Sequence, residues 1–140
     1  SAGKIMGYAD NYICEEGTTI IGRKGTIDNP QYIETKFWNV DTAFGLIASN
    51  SLAKKFLYYF CISYDFKSLD KGTTLPSLVK KDLIKIVMPI PSFYNQNIII
   101  AKLDKLKSQT QSLESNYQQE LDALDELKKS ILQKAFNGEL

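Results

Sequence analysis

Between Phe93 and Phe136 the apolar positions Leu103, Leu106, Leu113, Tyr117, Leu124, Leu127 and Ile131 fall at spacings of three, four and seven. That is the period of a narrow apolar seam along a helix, and such a seam needs a second helix against it. The pattern predicts one helix over the whole stretch, spanning roughly 66 Å at about 1.5 Å per residue. In heptad register Leu103, Thr110, Tyr117, Leu124 and Ile131 occupy one seam position, and Leu106, Leu113, Glu120, Leu127 and Lys134 the other. Thr110 and Glu120 interrupt the seam, and Leu121 beside Glu120 marks a locally shifted face. Ser92 is placed to cap the start, and Asn137-Gly138 to end it. A helix this polar gains little from packing on itself, so a partner helix is expected.

Upstream the pattern changes to short β-like runs. Asn11–Cys14, Thr18–Ile21, Tyr32–Glu34, Phe37–Val40 and Ala43–Ala48 read as strands, the last apolar enough to be central. Gly22-Arg23-Lys24-Gly25 reads as a tight reversal between strands, and Asp28-Asn29-Pro30 as another turn. Leu52, Phe56, Tyr59 and Phe60 recur at helical spacing, which predicts a helix over Ser51–Ser63 with Asn50 or Ser51 as its cap. Phe66–Thr74 reads as a polar surface loop, Pro76–Lys80 as one helical turn, and Ile84–Met88 as a closing strand. Met88-Pro89-Ile90-Pro91 can continue neither a helix nor a central strand, so it is an extended hinge. The expected fold is α+β: a small mixed sheet over residues 1–91, then the long helix over 92–140, paired as an antiparallel coiled coil.

Composition narrows the chemistry. The 140 residues carry 17 Lys+Arg, 16 Asp+Glu and no His, a formal net charge of +1, which by itself announces no polyanion partner. Without histidine, imidazole acid–base chemistry and the usual zinc sites are out of reach. Cys14 and Cys61 sit in apolar surroundings and read as buried thiols, with a disulfide or metal pair as the alternative. The longest apolar run, Ile98 to Ala101, is far short of a membrane span, and no signal-peptide pattern opens the chain. A soluble, cytoplasmic protein is expected.

Two clusters could hold an anion. Gly22-Arg23-Lys24-Gly25-Thr26 sets two cations and a hydroxyl on a glycine-bracketed corner, where backbone N–H groups can also meet a phosphate. Lys71-Gly72-Thr73-Thr74, followed by Lys80-Lys81, is the second. The plainer reading of each is a solvated loop. Neither is a P-loop, since the Lys-Ser/Thr ending and its helix are absent. Most of the aromatics are assigned to the core, while Tyr8, Tyr12, Tyr64 and Trp38 are candidates for contact with bases or backbone. Asp41 has no second carboxylate at catalytic spacing, and no nucleophile–base pair is visible. The residues describe a binding module rather than an enzyme.

Gly72-Thr73-Thr74-Leu75-Pro76-Ser77-Leu78, then Met88-Pro89-Ile90-Pro91 and Gln96, closely resemble the specificity subunit of type I restriction-modification systems. The run from Leu127 to Leu140, LKKSILQKAFNGEL, resembles the ending of that family's repeat. Gly22–Thr26 and Asp41-Thr42-Ala43-Phe44 resemble landmarks of its target recognition domain. Asn95 and Asn97 depart from the charged residues usual around Gln96.

The resemblance implies a non-catalytic subunit in which each recognition domain reads half of a bipartite DNA site and long helices set the distance between halves. Those helices dock a methyltransferase subunit, which binds S-adenosylmethionine, and through it a restriction and motor subunit; no cofactor of its own is implied. Arg23, Lys24, Thr26, Lys71, Thr73, Thr74, Lys80 and Lys81 become the candidates for contact with double-stranded DNA. Measured against the family, the head is expected to lack its N-terminal part, and the helix to pair with a second copy or with a missing half. The alternative is a coiled-coil interaction module whose head binds protein; a phosphate-handling enzyme at Gly22–Thr26 stands third.

Overall fold

A computed structural model describes residues 5–139; Leu140, the last residue of the family-like ending, lies outside the described residues. Strand β1 (Thr18–Gly22) is central, with β2 (Gln31–Ile33) and β3 (Ala43–Leu46) antiparallel on either side. Thr19 faces Tyr32 on one side and Leu46 on the other, so the register is fixed through the middle of β1. The small sheet is therefore present, and both of its pairings are antiparallel. Its centre is not the apolar run Ala43–Ala48 but Thr18-Thr19-Ile20-Ile21, whose β-branched side chains suit a strand covered on both faces. β3 carries an exposed Gly45 and lies at an edge.

Helix α1 (Lys54–Ser63) packs against β1 and β2. Ile21, Ile27, Cys61, Phe66 and Leu78 form the buried core, with Phe44, Leu57, Phe60, Leu83 and Ile86 packed around it. Phe66–Leu69, expected as polar loop, is a 3-10 turn, because Phe66 is drawn into that core and is only 2% exposed. Tyr64 packs tilted against Phe66 with ring centroids 5.0 Å apart, which makes it a packing residue rather than a surface contact. Cys14 and Cys61 are both free and buried. Burial pushes both thiols up, Cys61 to about 12.

Three expected strands are absent. Asn11–Cys14 and Phe37–Val40 meet in a single bridge, Cys14 to Phe37, rather than as strands. Ile84–Met88 is not a strand: the N–H groups of Ile84, Lys85 and Ile86 bond back to Lys80, Asp82 and Leu83 as the chain leaves a short helix, α2 (Lys80–Leu83). Its β-branched residues find no partner strand, and Val87 is 88% exposed; propensity without a neighbour does not make a strand. Pro76–Val79 is extended rather than helical, and the helical turn begins at Lys80.

Helix α3 runs from Phe93 to Phe136. Asn95 N–H reaches Ser92 Oγ at 3.4 Å, the expected N-terminal cap. At the other end Glu139 N–H bonds Lys134 O at 2.9 Å and Gly138 N–H bonds Ala135 O at 3.2 Å, the paired bonds of a Schellman cap. The chain divides into two compact units, one running through Ile100 and one from Ala101 onward. In the first, Gln96 is fully buried. In the second, the seam residues Leu106, Leu113, Tyr117, Leu124, Leu127 and Ile131 are all between 46% and 62% exposed. No described helix is long and apolar enough to cross a membrane.

Candidate functional site

The two basic clusters, far apart in sequence, are one structure. Gly25 N–H bonds Pro76 O and Leu78 N–H bonds Arg23 O, each at 2.9 Å, so Lys24 and Ser77 face each other as an antiparallel bridge. On its other edge Ser77 O accepts from Lys71 N–H at 2.9 Å. Pro76–Leu78 is therefore a short extended segment held between the Arg23–Gly25 loop and the Asp70–Lys71 corner. Arg23 and Lys24 N–H groups both reach Thr42 O, at 2.8 and 3.3 Å, which ties in the stretch leading to β3. Three motifs that resemble family landmarks thus converge at one place.

Two glycines make this convergence possible. A Cβ on Gly22 would come within 1.9 Å of Thr26 O, and one on Gly72 within 1.8 Å of Leu75 O. Both loops close on their own backbone, and a side chain at either corner would open them. The Gly22–Thr26 segment is thus not a hairpin reversal. β1 and β2 are joined by the longer connection from Arg23 to Pro30, which buries Ile27 and is pinned by Asp28 and Lys67 at 2.7 Å.

Asp70 closes the second loop. One carboxylate oxygen, Oδ1, accepts from Gly72 N–H and Ser77 N–H, each at 2.8 Å. These N–H groups, Ser77 first, hold its carboxyl below the usual carboxylate range. Aspartate two residues before glycine is the sequence signal for such a turn, and Asp70-Lys71-Gly72 carries it, although Asp70 is not among the candidate contact residues.

Lys24, Thr26, Lys71, Thr73, Thr74, Lys80 and Lys81 are exposed, and none of these lysines has an ion pair among the described residues. Lys67 differs, being occupied by Asp28. Arg23 is partly committed: Nη1 donates to Asp41 O at 3.3 Å, and the guanidinium lies 5.8 Å from the Phe44 ring centroid. Its guanidinium is exposed and lies beside Asp41 and Phe44. Lys80 and Lys81 open α2 just beyond Leu78, with no bond tying them to the two loops. Tyr8, Tyr12 and Trp38 are exposed, and Lys36 Nζ lies 4.3 Å from the Tyr12 ring centroid. No cluster of potential metal ligands occurs among the described residues. Chemically the site offers cations and hydroxyls on a backbone-locked platform, which suits an extended anion better than catalysis.

Residues 1–123 match the family model for the type I restriction modification DNA specificity domain. Over 89 residues the chain is 30% identical to the type I restriction enzyme EcoDI specificity subunit of Escherichia coli, covering 61% of this chain and 20% of that protein. A chain from a structure of type I R-M complex assembly and conformational transition superposes with a TM-score of 0.80 at 25% identity. That match covers 94% of this chain and 33% of the other. The S subunit of a type I restriction-modification system from M. genitalium shares the fold, with a TM-score of 0.64 at 23% identity over 80% of this chain and 31% of that one. The chain thus spans between a fifth and a third of the length of these relatives.

Proposed function

Because the chain belongs to the type I restriction modification DNA specificity domain family, we propose that it is a non-catalytic DNA-reading module whose head binds one half of a bipartite site. The observation that carries this is the convergence of Arg23–Thr26 and Lys71–Ser77 on one platform with unpaired lysines. Lysines there hold phosphates and set register, while Thr26, Thr73 and Thr74 stand on the same loops with hydroxyls able to meet base edges in the major groove. The methyltransferase subunit, carrying S-adenosylmethionine, docks on the same protein and brings the restriction subunit with it. Residues up to Pro91 act as the recognition domain and the helix from Ser92 as spacer.

The exposed seam of α3 fits a second copy running antiparallel. In one register Leu103 lies opposite Leu127 of the second copy, Leu106 opposite Leu124, and Leu113 opposite Tyr117. Thr110 then falls opposite Glu120, so the two polar interruptions meet each other instead of an apolar residue. A two-fold pair of this kind carries two reading heads and suits a palindromic split site.

The test is duplex binding by the full chain together with its methyltransferase subunit. Affinity falls steeply with salt, and Lys24→Ala lowers the slope of log K against log salt by about one. Arg23→Ala costs more, because it also removes packing on Phe44. No salt-dependent binding by the complex would overturn the DNA reading and leave a protein-binding head.

A further inference from the structure

We propose that Asp70 is a positioning residue that holds the two basic loops together as one DNA-contacting surface, an inference that rests on the DNA-reading function above. Ser77 is the shared node. Its N–H is taken by Asp70 and its carbonyl by Lys71 N–H, while its neighbours Pro76 and Leu78 bond Gly25 and Arg23. Releasing Ser77 from Asp70 leaves the Lys71 N–H bond as the single tie on that edge, so the placement of Lys24 relative to Lys71 depends on a carboxylate that itself repels DNA. Gly72 N–H is the second tether, and between Gly72 and Ser77 the chain carries Thr73 and Thr74. The negative charge and the acceptor oxygen therefore act in opposite directions on DNA binding, and two substitutions separate them.

Asp70→Asn keeps a side-chain oxygen for the two N–H groups and removes the charge. Asp70→Ala removes both. With the full chain and its methyltransferase subunit on a mixed-sequence duplex, Asp70→Asn is expected to bind at least as tightly as wild type with the same salt slope. Asp70→Ala is expected to bind roughly tenfold or more weakly, with a slope lower by about one because the two loops no longer engage phosphates together. Should Asp70→Ala not fold, Asp70→Ser, which reaches one of the two N–H groups, is expected to fall between.

Amide hydrogen exchange without DNA reads the clamp on its own: Gly72 and Ser77 are protected in wild type and Asp70→Asn, and exchange freely in Asp70→Ala. Wild-type affinity and slope in a folded Asp70→Ala protein, or an Asp70→Asn defect as large as that of Asp70→Ala, would overturn the positioning role. Protected amides with no duplex binding by wild type would instead count against the DNA reading, and with it the purpose assigned to the clamp.

Discussion

Gln96 has no exposed surface, yet both of its polar side-chain atoms are hydrogen-bonded. Its Oε1 accepts Ala53 N–H at 2.8 Å, and its Nε2 donates to Ser51 O at 3.0 Å and Pro91 O at 2.9 Å. Helix α1 has Ala53 at its N-cap and no side-chain cap of its own, so a residue 43 positions away supplies one. Asn50 and Ser51, the local candidates, do not. Gln96→Leu keeps much of the volume and orphans one donor and two acceptors, and should cost about 3 kcal/mol or more. Urea denaturation followed by circular dichroism measures it; a loss under about 1 kcal/mol would mean water replaces the amide. Nothing in the sequence near Ala53 points to this lock. Gln96 stood out only as a family-like residue, because its partners come from a different stretch of chain.

At the scale of elements, α3 was legible from end to end. Its period, its serine cap and its Asn-Gly stop are local signals, and a helix obeys local signals because its hydrogen bonds close within a few residues. Several strands and one short helical turn did not follow their local pattern. Ile84–Met88 has the composition of a strand and no strand to pair with, while β3 was moved to an edge by what lay beside it. Pairing of α3 is where the prediction at this scale lies. In the antiparallel register proposed above, Asn116 lies beside its own counterpart near the two-fold axis. Asn116→Cys should give a disulfide-linked dimer on mild oxidation, whereas wild type should give none, since Cys14 and Cys61 are buried. Leu113→Asp combined with Leu124→Asp should sediment as a monomer. Wild-type monomer at micromolar concentration would rule out self-pairing.

Across the whole molecule, the two-loop platform is held by contacts between segments remote in sequence, and some of them are ionic. Lys67 and Asp28's own backbone N–H lower Asp28, and the Ser77 and Gly72 N–H groups lower Asp70, both below the ordinary value of 3.8. A carboxyl depressed in the folded state supplies stability that is whole above its ordinary value and is lost as pH falls through the lower folded value. Lys67, raised by Asp28, loses its share only on the alkaline side. The urea midpoint should therefore be level from about pH 5 to pH 9 as far as these groups decide it, then fall in acid. Both carboxylates are exposed, so the fall is shallow and salt weakens the Asp28 part of it. Asp28→Asn should remove some of the acid dependence, and an unchanged profile would mean the pair is too solvated to count.

The sequence alone determined the long helix with both its ends, the β-branched strand Thr18–Ile21, the buried thiols, the absence of imidazole chemistry and the cationic character of two loops. Each depends on spacing or composition within a window of a few residues. Tertiary structure alone decided that those loops are one platform, that Arg23 lies beside Phe44, that Asp70 accepts from Gly72 and Ser77, and that Gln96 caps a helix it does not belong to. Those are hydrogen bonds between remote segments, and closing a long loop leaves no mark on local periodicity. The cations could be counted from the chain; their common face required the fold.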